Sequence, residues 1–204
     1  MTARTLNHPT LLSTLCPSLT EGDYLRKALM VLGASALVTL AAKIQIPFYP
    51  VPLTLQTFII AVLAMTLGWR LAGLTLVLYL VQGALGLPVF AGTPEKGLGL
   101  VYMAGPTGGY LFGFVLAAMT CGWLAERGWD RSHLLTLAAM SIGHLLIFIP
   151  GLIWLGLLLG WDKPILSWGL YPFIPGMILK IILGTVALRS AWVLSGKRPS
   201  LDLK

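Results

Sequence analysis

The stretch LLTLAAMSIGHLLIFIPGLIWLGLLLG, residues 134–160, decides the class of fold to which this chain belongs. It contains no Asp, Glu, Lys or Arg, and it is longer than the roughly 20 apolar residues that a helix needs to cross a bilayer. Pro150 followed by Gly151 predicts a bend, because proline removes one backbone hydrogen bond from a helix. We therefore predict a long, bent, membrane-spanning helix.

The composition of the whole chain supports the same class. Of its 204 residues, 57% are hydrophobic and 10% are charged, and the mean hydropathy is +0.86. A soluble domain carries about 25% charged residues, so the sequence predicts an all-α integral membrane protein. Hydropathy places six transmembrane helices, at 28–46, 53–68, 71–87, 110–125, 134–160 and 175–193. They form one predicted membrane domain at 25–195, between a polar tail at 1–24 and a second tail at 196–204.

The basic residues are distributed unevenly between the two predicted sides of the membrane. Three lie in connections on one side, namely Lys43, Lys96 and Lys163. Ten lie on the other side, namely Arg4, Arg26, Lys27, Arg70, Arg127, Arg131, Arg189, Lys197, Arg198 and Lys204. Because Lys and Arg are enriched on the cytoplasmic side, both termini are predicted to be cytoplasmic. The net charge of +7 then reflects topology and attraction to the lipid bilayer, and no nucleic acid is expected as a partner.

The three connections on the outer side, at 46–52, 88–109 and 160–175, are long, rich in Pro and Gly, and interleaved with aromatic residues. Irregular backbone near a bilayer must be buried in protein or line a cavity, because lipid cannot form hydrogen bonds with it. The connections therefore favour a capped cavity that opens outward. Ordinary exposed connections are the alternative.

The sequence lacks the residue motifs that several kinds of catalysis and energy coupling require. It contains no G-x-x-x-x-G-K-[ST] phosphate loop, no H-E-x-x-H helix and no G-x-S-x-G elbow. All seven acids lie in tails or connections, which argues against a carboxylate relay for protons or sodium. Cys16 and Cys121 are interpreted as free thiols, and His144 as a packing residue. We expect no catalytic group, metal or cofactor, and the sequence indicates a binding protein without its own energy source.

One ionisable residue, Lys180, stands inside the apolar run FIPGMILKIILG at 173–184. A charge within the bilayer costs at least about 2.5–3.5 kcal/mol, so such residues usually face a cavity and serve function. With Pro175 as an early helical residue, Lys180 lies about 7–8 Å below the outer end of its helix. No acid is near it in sequence, so we expect an external anion or strong acceptor, such as a substrate carboxylate. The alternative is a lysine that snorkels to the outer headgroups.

Four uncharged polar residues are further candidates. Thr54 and Gln56, within VPLTLQ at 51–56, stand at the outer entrance of the second predicted helix. Tyr79 and Gln82 lie within the third span. Such residues form hydrogen bonds with neighbouring helices or with an amide-like ligand, and the sequence does not separate the two.

The motif GPTGGY, residues 105–110, lies where the second outer connection enters the fourth helix. Thr107 can cap that helix, and the glycines let backbone N–H groups approach a ligand. A capped turn without a ligand is an equally good interpretation.

Small residues fall near one face of the first helix and permit close contact between helices. They are Ala28, Ser35, Thr39 and Ala42. Their partner is either another span of this chain or a separate subunit, and the sequence leaves both open.

Four motifs occur together in a fixed order: IQIPFYPVPLTLQTF at 44–58, GLPVFAG at 86–92, GPTGGYLFGF at 105–114 and PFIPGMILK at 172–180. In this combination the chain resembles the BioY family, the biotin-specific S components of energy-coupling factor (ECF) transporters, over about 25–193. The resemblance implies an S-component-like bundle of six helices in a bacterial or archaeal cytoplasmic membrane, which captures biotin from outside. It implies as partners a membrane coupling protein and a pair of ATP-binding subunits. Whether the protein also forms a homo-oligomer is left open by the sequence.

The resemblance also implies which residues bind the substrate. It points to Lys180, to Val51, Thr54 and Gln56, to the roof from Phe90 to Gly92, and to Gly105, Thr107, Gly108 and Tyr110. The family pattern resembles P-G-D-x-x-K, whereas the position of the acid is Met177 here. A ligand group bonded through that acid must be satisfied in another way. Without this counter-ion, Lys180 should favour an anionic ligand more strongly, and its contact with either the carboxylate or the ureido carbonyl of biotin stays open.

Two other classes of function remain. A small membrane enzyme acting on a lipid or amphipathic substrate would need a nucleophile and a base in the cavity, with Tyr79 and His144 as first candidates. A structural scaffold would bind no small ligand.

Overall fold

The structure is a computed structural model that describes residues 8–17 and 24–196. Most of this length is helical. The helices are α1 (Leu11–Leu15), α2 (Tyr24–Lys43), α3 (Gln56–Leu67), α4 (Trp69–Ala84), α5 (Gly99–Met103), α6 (Gly108–Ala125), α7 (His133–Leu159), α8 (Ile165–Gly169) and α9 (Ile174–Leu194). Single 3-10 turns at Trp129–Arg131 and Tyr171–Phe173 precede α7 and α9.

A short hairpin follows α2. Its strands, β1 (Gln45–Ile46) and β2 (Leu53–Thr54), pair antiparallel, with Gln45 opposite Thr54 and Ile46 opposite Leu53. The hairpin occupies the first predicted outer connection and leads directly into α3. It thereby fixes the start of α3 relative to the end of α2.

Within the described residues, four segments are long and apolar enough to cross a membrane. They are Tyr24–Lys43, Gly108–Ala125, His133–Leu159 and Ile165–Leu194. The apolar helices α3 and α4 are shorter, at 12 and 16 residues, which correspond to about 18 and 24 Å. A bilayer core is about 30 Å thick, so length identifies four of the six predicted spans, and the count of six stays a prediction.

Helix α6 forms the centre of the bundle. Of its most apolar window, 61% is buried, against 33%, 39% and 28% for the other three candidate spans. It packs closely against α7, because glycines on α6 leave room for the α7 backbone. A Cβ atom at Gly113 would lie 2.7 Å from the Ile147 Cα atom, and one at Gly109 would clash with the Pro150 carbonyl oxygen. Helix α7 runs unbroken through Pro150.

Helix α2 lies against α4, and part of its predicted stripe of small residues forms this contact. The Ser35 hydroxyl donates a hydrogen bond of 2.5 Å to Gln82 Oε1. Ser35 and Ala42 are buried, whereas Ala28 is exposed. The partner of the buried part is therefore another helix of the same chain.

Part of the predicted N-terminal tail is packed onto one end of the bundle. Thr10 caps α1 by accepting a 3.3 Å hydrogen bond from the Ser13 N–H, and Leu11 is buried. The His8 N–H donates to the Glu126 carbonyl at 2.7 Å, which attaches the segment to the end of α6. Residues 1–7 and 18–23 of the predicted N-terminal tail, and residues 197–204 of the C-terminal one, lie outside the described residues.

At the same end of the bundle, a buried acid joins the turn after α6 to α9. Asp130 is fully buried and accepts a 2.8 Å hydrogen bond from Trp192 Nε1. Arg131 Nε lies 4.0 Å from Asp130 Oδ1, and Arg189 donates to the Arg131 carbonyl. Burial raises the pKa of the Asp130 carboxyl to about 6, although the Trp192 hydrogen bond and the two arginines oppose this shift. We call this set of four residues the Asp130 cluster.

The two cysteines have free thiols, as predicted. Cys16 is exposed, and Cys121 is buried between α6 and α7. Cys121 Sγ lies 3.4 Å from the Ala139 carbonyl oxygen.

Candidate ligand-binding site

A cavity lies at the end of the bundle opposite the Asp130 cluster, beneath all three of the connections that were predicted to cap one. Val51 and Pro52 come from the first connection, Ala91 and Tyr102 from the second, and Phe173 from the third. The remaining lining residues lie on or beside the ends of four helices. They are Thr54, Gln56 and Thr57, then Thr107, Tyr110, Leu111 and Phe114, then Ile147 and Phe148, and finally Met177 and Lys180. The predicted cavity under the three connections is thus confirmed.

Among the residues that the structure describes, Lys180 is the single charged member of this lining. Its ammonium donates hydrogen bonds to the Thr54 carbonyl at 2.5 Å and to Thr57 Oγ1 at 3.3 Å. Both acceptors are neutral, and no ion pair of Lys180 occurs among the described residues. A lysine ammonium has three donors, so the third can reach a group in the cavity. The site therefore presents a positive charge that no carboxylate within residues 8–17 and 24–196 neutralises.

Pro175 lies in the first turn of α9, as predicted, so Lys180 is close to the cavity end of its helix. Met177, one turn earlier, lines the same cavity. Residues three apart on a helix are neighbours on its surface. The position that carries an acid in the resembled pattern therefore faces the cavity beside Lys180, and here it contributes an apolar thioether.

Gln56 connects the cavity to the interior of the bundle. Its side-chain Nε2 donates to the Tyr79 hydroxyl at 2.8 Å, and its Oε1 accepts from Thr54 Oγ1 at 3.3 Å. The Tyr79 hydroxyl in turn donates to the Val89 carbonyl at 3.1 Å. Both amide atoms of Gln56 therefore have protein partners, which fixes the orientation of this side chain at the cavity wall.

Aromatic rings form the wall on the side of α6 and α7. Tyr110 packs edge-on against Phe148, with ring centroids 5.9 Å apart, and Phe148 packs in the same manner against Phe173 at 5.6 Å. Phe48 of the first outer connection extends the series, at 6.4 Å from Phe173. The Tyr110 hydroxyl donates to the Gly169 carbonyl at 2.9 Å. This wall suits an apolar or weakly polar ring system rather than a strongly hydrated ligand.

The predicted site residues divide into two groups. Those that line the cavity are Val51, Thr54, Gln56, Thr107, Tyr110, Met177 and Lys180. Those that lie outside the lining are Tyr79, Gln82, Phe90, Gly92, Gly105 and Gly108. The second group supports the wall and the roof or joins helices, since Tyr79 bonds to Gln56 and Gln82 bonds to Ser35.

The GPTGGY motif does not act as a helix cap in the predicted way. Thr107 occupies the N-cap position of α6, but its side chain makes no capping hydrogen bond, and it lines the cavity instead. The glycines serve packing. The Gly105 carbonyl accepts a 2.9 Å hydrogen bond from Trp154 Nε1, and a Cβ atom at Gly108 would clash with the Met103 carbonyl oxygen.

Sequence reasoning missed several lining residues, chiefly Thr57, Tyr102, Phe114, Phe148 and Phe173. Two of them had a usable signal, because Thr57 follows Gln56 and Phe114 lies one helical turn after Tyr110. Phe148 had none, since its helix is apolar on every face.

The two residues named for an enzymatic alternative do not meet in the cavity. Neither Tyr79 nor His144 belongs to its lining. The His144 ring nitrogen Nδ1 lies 2.8 Å from the Met140 carbonyl of its own helix, so His144 is a buried packing residue of α7. Within residues 8–17 and 24–196, no group of three or more His, Cys, Asp or Glu residues is arranged to hold a metal ion.

Comparison with known proteins identifies the family. The model of the BioY family matches residues 10–197. The biotin transporter BioY of Thermotoga maritima is 38% identical over 156 residues, which cover 76% of this chain and 89% of the relative. The biotin transporter BioY2 of Lactococcus lactis is 34% identical over 162 residues, which cover 78% of this chain and 85% of the relative.

A solved structure agrees in fold. It is described as the crystal structure of the S-component for biotin from an ECF-type ABC transporter. The superposition covers 81% of this chain and 90% of the solved one, with a TM-score of 0.68 and 25% sequence identity. From the family match and the extent of these relationships, we conclude that this chain belongs to the BioY family.

Proposed function

We propose that this protein is the biotin-binding membrane subunit of an ECF-type transporter, which captures biotin from outside the cell for import. The observation that carries the proposal is Lys180, a cation whose partners in the described part of the chain are all neutral, in an apolar, aromatic cavity beneath three connections. Biotin combines a compact ring system with an apolar chain that ends in a carboxylate. The names of the relatives and of the solved structure support the same ligand.

In this proposal the carboxylate of biotin approaches the free donor of Lys180, and the ring system lies against the aromatic wall. A carboxylate is the strongest complement to an ammonium that lacks an anion, and the contact strengthens as the local dielectric constant falls. Thr54 and Thr57 hold the ammonium in place through its other two donors. Phe148 and Phe173 provide apolar surface within the same cavity.

Orientation and energy coupling are further parts of the proposal. The distribution of Lys and Arg, ten against three, supports cytoplasmic termini and a cavity on the outer face of a bacterial or archaeal cytoplasmic membrane. A membrane coupling protein and two ATP-binding subunits would supply the energy, because the sequence has no phosphate loop of its own. The protein then acts by binding and transport rather than by catalysis.

Calorimetric titration of the purified protein with biotin and with biotinamide tests this function. We expect biotin to bind and biotinamide to bind at least tenfold more weakly, because the amide lacks the negative charge. In Lys180→Met, biotin should lose at least tenfold in affinity, and the difference between the two ligands should disappear.

Lys163→Met is the matched control for this experiment. Lys163 is also a lysine of the cavity end, but it is exposed and pairs with Asp162 at 3.0 Å. Its replacement should leave both affinities unchanged. Absence of biotin binding by the unmodified protein would refute the proposed function. A persistent preference for biotin in Lys180→Met would refute the contact between Lys180 and the carboxylate.

A further inference from the structure

Three consecutive backbone carbonyls of the second outer connection each accept a hydrogen bond from a different helix. The pairs are Tyr79 Oη to the Val89 carbonyl at 3.1 Å, Lys43 Nζ to the Phe90 carbonyl at 2.9 Å, and Tyr102 Oη to the Ala91 carbonyl at 2.7 Å. The donors belong to α4, α2 and α5 respectively. Ala91 lines the cavity, so these bonds hold part of its wall. We call residues 88–98 the roof segment.

Lys43 makes more contacts with the roof segment than either tyrosine does. Its ammonium also donates to Thr93, at 3.2 Å to the carbonyl and 2.9 Å to Oγ1. The Thr93 hydroxyl also donates to the Phe90 carbonyl at 2.7 Å. Two of the groups that accept from Lys43 are therefore bonded to each other within the roof segment. A lysine ammonium has three donors, and the roof segment engages all of them.

The two tyrosines and the lysine differ in exposure. Tyr79 and Tyr102 are 0% and 6% exposed, and the Phe90 ring packs between them, stacked on Tyr102 at 4.9 Å and edge-on to Tyr79 at 5.4 Å. Lys43 is exposed, so its ammonium can exchange the roof segment for water without leaving a buried donor unsatisfied. Of the three side chains that bond to the roof segment, Lys43 is therefore the one whose hydrogen bonds break at the smallest cost in free energy.

Lys43 also lies at the junction between α2 and the first outer connection. It is the last residue of α2, two residues before Gln45 of β1, where the first outer connection begins. One side chain therefore ties the base of the first connection to the middle of the second. Both connections contribute to the cavity lining, so release of this tie removes one of the links between two parts of the lining.

We infer that Lys43 is a positioning residue that latches the roof segment over the cavity, and that ligand release requires its three hydrogen bonds to break. The inference rests on the proposed function, because it assigns the latch to the biotin cavity. Lys43 does not line that cavity and acts through Phe90 and Thr93. It therefore governs how long a ligand stays rather than which ligand is recognised.

Lys43→Met tests the latch, because methionine keeps an unbranched apolar stem and removes the ammonium. We expect biotin to dissociate about tenfold faster, in keeping with the loss of charge-assisted hydrogen bonds. The preference for biotin over biotinamide should stay as in the unmodified protein. Dissociation is measured by chasing bound labelled biotin with excess unlabelled biotin.

Hydrogen exchange of the ligand-free protein provides an independent readout. In Lys43→Met, the amides of Thr93 and Lys96, which donate to the Phe90 and Gly92 carbonyls, should exchange faster. Amides at the centre of α6 should keep their rates. Lys163→Met is the matched control, since it removes an exposed charge from another outer connection, and it should change neither the exchange of these amides nor the dissociation of biotin.

The outcomes separate the latch from the proposed function. Unchanged exchange in the roof segment of Lys43→Met overturns the latch, whether or not biotin binds. Faster exchange with unchanged biotin dissociation overturns its role in release. If the unmodified protein binds no biotin, the proposed function fails and, with it, the assignment of the latch to biotin release.

Discussion

The two ends of the bundle differ in whether a buried charged side chain has a charged partner within the protein. At one end, the Asp130 carboxylate accepts a hydrogen bond from Trp192 and lies 4.0 Å from Arg131 Nε, so this buried charge has partners within the protein. At the other end, the Lys180 ammonium has only a carbonyl and a hydroxyl as hydrogen-bond partners among the described residues. A charge that is paired within the protein stabilises the fold at best modestly, whereas a charge left without its counter-ion is available to a ligand. The comparison indicates that the first end satisfies its buried charge within the protein, whereas the second leaves one available to a ligand.

The largest expected effect concerns the pH dependence of the Asp130 cluster. Because burial raises the pKa of Asp130 to about 6, the folded protein binds a proton more tightly there than the unfolded chain does. The resulting stability is present at about pH 4 and is lost as the pH rises through about 6. By linkage, the free energy of unfolding should fall by up to about 3 kcal/mol over this range.

Asp130→Asn should remove this slope, because the amide has no proton to lose and its oxygen can still accept from Trp192. Chemical unfolding in detergent between pH 4 and 7 measures the difference. Asp162→Asn, the same change at an exposed carboxyl, serves as the control and should keep the slope. An unchanged slope in Asp130→Asn would show that Asp130 does not titrate in this range.

The second prediction removes one partner from the cluster. Trp192→Phe keeps a ring beneath the Arg131 guanidinium, which lies 5.2 Å from the indole centroid, but it deletes the donor to Asp130. The free energy of unfolding at pH 7 should fall by about 2 kcal/mol, the scale of a hydrogen bond to a charged group. Trp123→Phe, at a half-exposed indole of the same end, should cost less. Equal losses in the two variants would contradict the stabilising role of the hydrogen bond.

The third prediction gives the cavity end the internal counter-ion that it lacks. In Met177→Asp, a carboxylate three residues before Lys180 should pair with it and compete with an anionic ligand. The ratio of the affinities for biotin and biotinamide should fall about tenfold, or about 1.4 kcal/mol. Met177→Leu keeps an apolar residue there and should leave the ratio unchanged. An unaltered ratio in the aspartate variant would refute the competition.

The smallest expected effect lies between the two ends. Ser35→Ala deletes the hydrogen bond from α2 to Gln82 of α4. Such bonds between membrane helices contribute about 0.6 kcal/mol on average, so unfolding in detergent should become easier by about that amount. Thr66→Ala, whose hydroxyl bonds only within its own helix, is the control. A loss near 3 kcal/mol would place Ser35 among the main supports of the fold.

Much of the architecture could be predicted from the sequence, because long apolar runs and charge patterns are strong signals. The cavity followed from three irregular connections, and Lys180 followed from the cost of a charge among apolar residues. The predicted spans at 53–68 and 71–87 were already short, and α3 is shorter still because Leu53 and Thr54 form strand β2 instead of helix. The roles of Tyr79 and Gln82 were left open, since a polar side chain in a span gives no sign of its partner.

The partners of other residues around the cavity could not be predicted from the sequence for a different reason. Lys43 and Tyr102 bind backbone carbonyls, and every residue has a carbonyl, so their partners carry no sequence signal. Phe148 and Phe114 lie on helices that are apolar almost all round, so periodicity does not indicate which face meets the cavity. Packing between helices decides these positions.

The contact between α6 and α7 has a consequence for how the cavity keeps its shape. Gly109 and Gly113 have no side-chain rotamers to order, so packing these two formed helices together costs no side-chain entropy at these positions. Two backbones that touch directly also have little freedom to slide past each other. Tyr110 and Phe148, which extend from these two helices into the cavity, therefore keep their spacing. This part of the aromatic wall is preorganised for a ligand, whereas Phe48 and Phe173 belong to the outer connections.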